Sequence, residues 1–225
     1  MNILFEGVNG SGKTTIINEL RKILELKKID YEYIADLETN TPLNPVLKQM
    51  FSDSVFLEMR HSFKTSLFES LVLAADHHYI QEMYRNKKGL IIYDRDFISV
   101  LSYQKDIIKN DYPDDWEAFY DAFKKIMLYK LKNIDLLCYI SIPTEENIKR
   151  TEKRDGRSFS DDEKKMLVSL KNNMEKEINL FCAATSTPLL VLDGRDLPEK
   201  NCQKIFDNIK TISKANKNIT PEIIL

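Results

Sequence analysis

Cysteine is scarce and unorganised in this chain. Cys138, Cys182 and Cys202 are the only three, and no CxxC pair or histidine spacing turns them into a ligand set. Neither a disulfide framework nor a zinc site is expected; they read as reduced thiols, some of them buried. A large charge excess is also missing. Lysine plus arginine (33) nearly balance aspartate plus glutamate (35), which argues against a strong net field that would capture nucleic acid or an anionic membrane. Any cationic site must therefore be local. No long apolar run and no basic leader occurs at the amino terminus, so the chain is expected in the cytoplasm, neither secreted nor membrane-spanning. Internal repeats and low-complexity linkers are lacking too, and 225 residues suit a single α/β domain spanning 1–225.

What the chain does have is an alternation of short apolar runs with longer stretches of helical period, the pattern of a sheet flanked by helices. Strands are expected at Asn2 to Glu6, Tyr31 to Ala35, Gly89 to Asp94, Leu136 to Ile142 and Pro188 to Asp193. Helices are expected at Thr14 to Leu26, Val55 to Arg85, Phe97 to Lys109, Asp114 to Lys130, Glu145 to Arg154, Ser160 to Phe181 and Pro198 to Ser213. Ser160 and Glu163 have the spacing of a capping box at the start of the penultimate helix. Tyr112 and Trp116 flank a polar loop and read as a satellite packing cluster rather than a stacking platform.

The chemistry begins at GVNGSGKT, Gly7 to Thr14, a complete G-x-x-x-x-G-K-[ST] between a strand and an amphipathic helix. In that context successive backbone N–H groups converge on a phosphate and the helix N-terminus adds its positive end. The ATP site is assigned to Gly7, Asn9, Gly10, Ser11, Gly12, Lys13, Thr14 and Thr15. Lys13 is expected to reach the β and γ oxygens, and the Thr14 hydroxyl to ligate Mg²⁺. A second stretch, LIIYDRDFISVLSYQ, puts Asp94 at the carboxyl end of a strand, where open α/β sheets place ligand contacts. Asp94 can hold Mg²⁺ through water or orient an acceptor, and the planar fork of Arg95 suits a phosphate dianion. Third, Arg150, Arg154 and Arg157 lie in NIKRTEKRDGRSFS. Asp155 and Gly156 signal a turn there, so the last two arginines are expected on a mobile loop within a lid of about residues 151–160.

Along nearly its whole length the chain resembles thymidylate kinase. The resemblance runs from the phosphate loop through TPLNPVLKQMF, LVLAADHHYIQEMYRNKKGLIIYDRDFISVLSYQ and CYISIPTEENIKR to VLDGRDLPEK. It implies a three-layer P-loop kinase fold, with a central five-stranded parallel sheet and an arginine-containing lid. It also implies Mg²⁺-dependent transfer of the ATP γ-phosphate to a deoxynucleoside monophosphate, dTMP foremost. By position, Lys48 stands for an acceptor-phosphate arginine, Glu38 or the competing Leu37 for an acceptor-loop carboxylate, and Arg95 for the Asp-Arg arginine. Ser99, Tyr103 and Gln104 belong to the same acceptor side. The departures fall where the base belongs: Leu73 replaces a stacking aromatic residue, His77 an arginine, Val100 a serine, and Asp96 an aromatic residue beside the sugar. His77 is read equally as a base contact or an ordinary helix residue; at most one of His77 and His78 lines the site.

The loop and the arginines are also similar to deoxynucleoside kinases, in which Glu38 or Asp94 would accept a hydroxyl proton. A nucleotide-binding regulator without acceptor chemistry is the reading outside catalysis. Family resemblance further implies a homodimer through helices flanking the sheet, although a core role explains the apolar residues between Val55 and Tyr79 as well.

Overall fold

The computed structural model describes residues 1–35, 41–50, 66–131 and 133–215. Five strands form one all-parallel sheet, β1 (Asn2–Glu6), β2 (Tyr31–Ile34), β3 (Leu90–Asp94), β4 (Leu136–Ser141) and β5 (Leu189–Asp193), in the order β2-β3-β1-β4-β5. Register is set by pairings such as Phe5 with Asp94 and Phe5 with Cys138 on either side of β1. The central strands read as continuous apolar runs because both faces are covered. Along β1, Leu4 points into one core while Ile3 and Phe5 point into the other.

Two helical layers complete the sandwich. On one side α1 (Lys13–Leu26) and α8 (Pro198–Ala215) bury Ile16, Ile17, Leu20, Leu24, Ile205 and Ile209 against the sheet. On the other, α3 (Ser66–Tyr84), α4 (Phe97–Asp111), α5 (Trp116–Leu128) and α7 (Asp161–Thr185) contribute Ala74, Ile98, Leu101, Phe123, Met127 and Met174. The short α2 (Asn44–Met50) follows β2 along the chain, and α6 (Thr144–Asp155) follows β4. Trp116 opens α5 and, with Tyr112, packs against the second core. Cys138, Cys182 and Cys202 are all free thiols, the first and last buried.

Of the helix expected at Val55 to Arg85, the part from Ser66 to Tyr84 is described, and the earlier portion lies outside the described residues. The helix expected at Ser160 to Phe181 runs on to Thr185. Within residues 151–160, expected as a lid, Arg154 lies on a helix and not on a loop. α6 continues through Arg154 to Asp155, and Gly156, at φ 68°, closes it in the left-handed conformation that glycine tolerates. The connection to α7 is then only the few residues up to Ser160, whose hydroxyl accepts from the Glu163 N–H while the Glu163 carboxylate accepts from Ser160 N–H. Among the described residues no helix is long and apolar enough to cross a membrane.

Candidate active site

β1 ends at Glu6 and the chain turns through the glycine-rich loop into α1. Gly12 sits at the N-cap with φ 96°, a conformation that would strain any residue with a Cβ, and this leaves the first N–H groups of α1 facing the loop's concavity. The loop is gripped from outside as well. The Asn9 carbonyl accepts from the Asn147 amide and, at 3.3 Å, from the Thr151 hydroxyl, both on α6. Gly194, after β5, lies so close that a Cβ there would fall on the Ser11 carbonyl oxygen.

A cavity of about 420 Å³ opens over this loop. Its wall brings together Asn9 to Thr15 with Asp94 and Arg95 at the end of β3 and Arg150 and Arg154 on α6. Gly7 is buried beneath it, where a Cβ would meet the Ile140 carbonyl. Lys13 is buried and forms an ion pair with Asp94, which also accepts from the Tyr33 hydroxyl at 2.9 Å. Arg150 donates to the Gly194 carbonyl at 3.0 Å and to Glu146 at 2.8 Å. Arg154 bonds the neighbouring Asp155. Arg157 is not part of this wall: it pairs with Glu163 at 2.7 Å and lies over the Phe159 ring.

Arg95 has a left-handed backbone, φ 67°, held by its N–H donating to the Phe5 carbonyl at 2.9 Å. A non-glycine residue in that region costs roughly 1–2 kcal/mol, and such strain concentrates at functional sites. The kink turns the guanidinium back toward the phosphate loop, where it donates to Asn9 Oδ1 at 2.7 Å, to Ser99 Oγ at 3.3 Å and to Tyr103 Oη at 3.5 Å.

Next to Arg95 a narrow cleft of about 60 Å³ runs between α3 and α4, lined by Leu73, Asp76, His77, Asp96, Ser99 and Val100 among others. The His77 Nδ1–H donates to Asp96 Oδ1 at 2.6 Å, and Gln81 donates to Asp96 Oδ2 at 3.2 Å. Burial opposes a charged imidazole here, but the Asp96 carboxylate outweighs it, and His77 keeps its proton above the usual histidine range. His78 faces elsewhere and donates to the Ile126 carbonyl at 2.6 Å. Gln104 is buried behind the cleft, bonded to Ser70 and Glu69 of α3, and Lys48 is exposed on the last turn of α2. Glu38 and Leu37 lie outside the described residues. A larger apolar cavity of about 650 Å³ lies among α4, α5 and α7. No residue of the phosphate loop lines it, so size alone does not mark the chemistry here.

Sequence reasoning passed over Glu6. It is fully buried at the end of β1 and accepts from the N–H groups of Asp96 and Ser99 and from the Ser99 hydroxyl at 2.5 Å. Burial pushes its carboxyl up to about 7 despite these donors and the nearby Arg95 and Lys13. Its only signal was a charged residue inside an apolar strand. Tyr33, Asn147 and Thr151 were likewise invisible, because their partners are distant in sequence.

A parallel sheet of this order, a glycine-rich loop running into α1 and arginines arrayed over it define a P-loop phosphotransferase. The family model for thymidylate kinase matches residues 5–205, and the chain belongs to the thymidylate kinase family. It is 28% identical over 218 residues to the thymidylate kinase of Acholeplasma laidlawii, covering 93% of this chain and 98% of that one. To the thymidylate kinase of Campylobacter jejuni subsp. doylei it is 28% identical over 210 residues, covering 91% and 97%. Among solved structures, the deoxyadenosine kinase from M. mycoides with bound dATP shares the fold at a TM-score of 0.63 and 20% identity, covering 93% of this chain and 99% of that one. The chain is therefore a phosphotransferase of the nucleoside monophosphate kinase type.

Proposed function

We propose that this protein transfers the γ-phosphate of ATP to a deoxynucleoside monophosphate, with dTMP the leading acceptor. The observation that carries the reading is the position of Arg95. It sits at the rim of the phosphate loop, bonded to Asn9 of that loop, and also lines the cleft between α3 and α4. A monophosphate whose base enters the cleft would present its phosphate to Arg95, facing the γ-phosphate held over Lys13.

The rate would come from positioning and charge neutralisation, since phosphoryl transfer asks for little covalent work from the protein. Backbone N–H groups from Gly10 to Thr15 and the N-terminus of α1 bind the donor phosphates, and Lys13 leaves Asp94 to meet the β and γ oxygens. Arg150 and Arg154 neutralise charge that builds on the transferring group. Arg157 would join them only by giving up Glu163. In this reading Lys48, Leu73, His77, Ser99, Tyr103 and Gln104 belong to the acceptor side, the last through packing of α4 on α3.

Mg²⁺ fits the donor set: Thr14 offers an exposed hydroxyl and Asp94 a carboxylate in the same cavity wall. Among the described residues no cluster of three His, Cys, Asp or Glu could hold an ion alone, which suits a metal that takes most of its ligands from phosphates and water. When bound, the ion would neutralise and align the β and γ oxygens.

The test is a coupled turnover assay with dTMP, the other deoxynucleoside monophosphates and the corresponding nucleosides. Faster use of thymidine than dTMP would replace this reading with a nucleoside kinase. ATP binding with no acceptor-dependent turnover would replace it with a nucleotide-binding regulator.

A further inference from the structure

We propose that Glu6 is a positioning residue for acceptor use, acting on the Arg95 guanidinium through the Ser99 hydroxyl and the first turn of α4. The proposal rests on the reading that Arg95 binds the acceptor phosphate.

Asp96 occupies the N-cap position of α4, yet its carboxylate makes no capping bond there. It is turned into the cleft toward His77 and Gln81. The work of capping falls to Glu6, from the neighbouring strand, whose Oε1 accepts the N–H groups of Asp96 at 3.1 Å and Ser99 at 3.2 Å. An anionic group at this end of a helix is favoured by the aligned peptide dipoles. The borrowed cap thus releases Asp96 for the cleft and ties α4 to the root of the phosphate loop.

Glu6 Oε2 then sets the polarity of a short hydrogen-bond chain. Arg95 only donates, so Ser99 Oγ must accept from it. The Ser99 proton is accordingly directed the other way, to Glu6 Oε2 at 2.5 Å. Because Oε1 is occupied by two N–H donors, a proton added to Glu6 goes to Oε2, where it would donate to Ser99 and displace the hydroxyl proton from that direction. Ser99 then loses the anionic acceptor that polarises its oxygen, and its acceptance from the Arg95 guanidinium is weakened. The charged and titratable groups facing Glu6 are Lys13 of α1, Arg95 and Asp96 after β3, and Tyr139 of β4. The two cations favour the ionised carboxylate, and burial opposes it.

Glu6→Gln places an amide at the end of the chain, and its donor group oriented toward Ser99 mimics the protonated acid. The expected result is a rise of at least fivefold in the KM for the monophosphate, with the KM for ATP within twofold of wild type. The acid limb of kcat/KM for the acceptor should flatten in this variant. Ser99→Ala should raise the acceptor KM similarly, and Glu6→Gln added to Ser99→Ala should add little further. Ser99→Thr, which keeps the hydroxyl, should restore most of the loss. A purely structural role would lower thermal stability and affect both substrates alike, and that outcome overturns the proposal.

A second measurement needs no acceptor. Carboxyl-carbon NMR of Glu6 in the full chain should show its titration moving upward in Ser99→Ala, because a donor to the ionised form is removed. An unmoved titration breaks the link between Glu6 and Ser99 and overturns the proposal, whatever the acceptor is. Wild-type turnover with nucleosides alone would overturn the functional reading; a shifted titration would then still uphold the Glu6–Ser99 link.

Discussion

Asn9 Oδ1 accepts a hydrogen bond from the Arg95 guanidinium at 2.7 Å, joining residues 86 positions apart in the chain. The Asn9 backbone carbonyl is held at the same time by Asn147 and Thr151 of α6. One residue of the phosphate loop thereby connects the helix that carries Arg150 and Arg154 to the arginine at the end of β3.

Arg95→Ala should raise the KM for the monophosphate at least tenfold, since a hydrogen bond to a charged group contributes about 1.5–3 kcal/mol. ATP-analogue affinity by calorimetry should change little. Equal losses for donor and acceptor would remove Arg95 from the acceptor side.

Lys13→Ala is expected to lower turnover about 100-fold or more, the scale seen when a charge-stabilising donor is removed. It should also lower stability without nucleotide, because Asp94 is left buried with Tyr33 and without its cation. Removing one member of a buried pair costs about 3 kcal/mol or more. A melting curve and a saturation assay separate the two effects, and an unchanged kcat would contradict the role given to Lys13.

Gly194→Ala should weaken ATP binding while touching no ligand directly. The new Cβ would collide with the Ser11 carbonyl, and Ile142 behind it leaves little room to retreat. Overpacking of this sort costs roughly 1–3 kcal/mol. Wild-type ATP affinity and melting temperature in this variant would mean that the β5 loop does not shape the cradle.

Stability should fall as pH rises from about 5 toward 8. Glu6, raised to about 7, binds a proton in the folded state that it would have released in the unfolded chain above 4.5, so this contribution is lost between those values. His77 also has a raised folded pKa, and its contribution, complete below 6.5, is lost as pH climbs through the folded value. Asp96→Asn should remove the His77 part of this slope in urea unfolding measured across pH, and a slope identical to wild type would refute the pairing.

Much of the framework was legible because it is written in local chemistry. The five strands fall within a residue of their expected ends, since buried parallel strands must be continuous apolar runs and GVNGSGKT must follow one. The Ser160–Glu163 capping box was equally readable, its two groups being three residues apart. At residues 151–160, expected as a lid, local signals located the helix end but not the placement of its arginines. Asp155-Gly156 does mark a helix end, but Arg154 precedes it within α6 and Arg157 is drawn off by Glu163.

By itself the sequence determined the layered α/β architecture, the phosphate loop and the arginine that follows Asp94, because strand burial, helix period and turn conformation are set by neighbouring residues. Only the tertiary structure decided that Glu6 caps α4 in place of Asp96, that Asp96 holds His77, and that Asn9 binds Arg95. Each of these joins groups from separate elements, and parallel crossovers bring such groups together only when the whole sheet is formed.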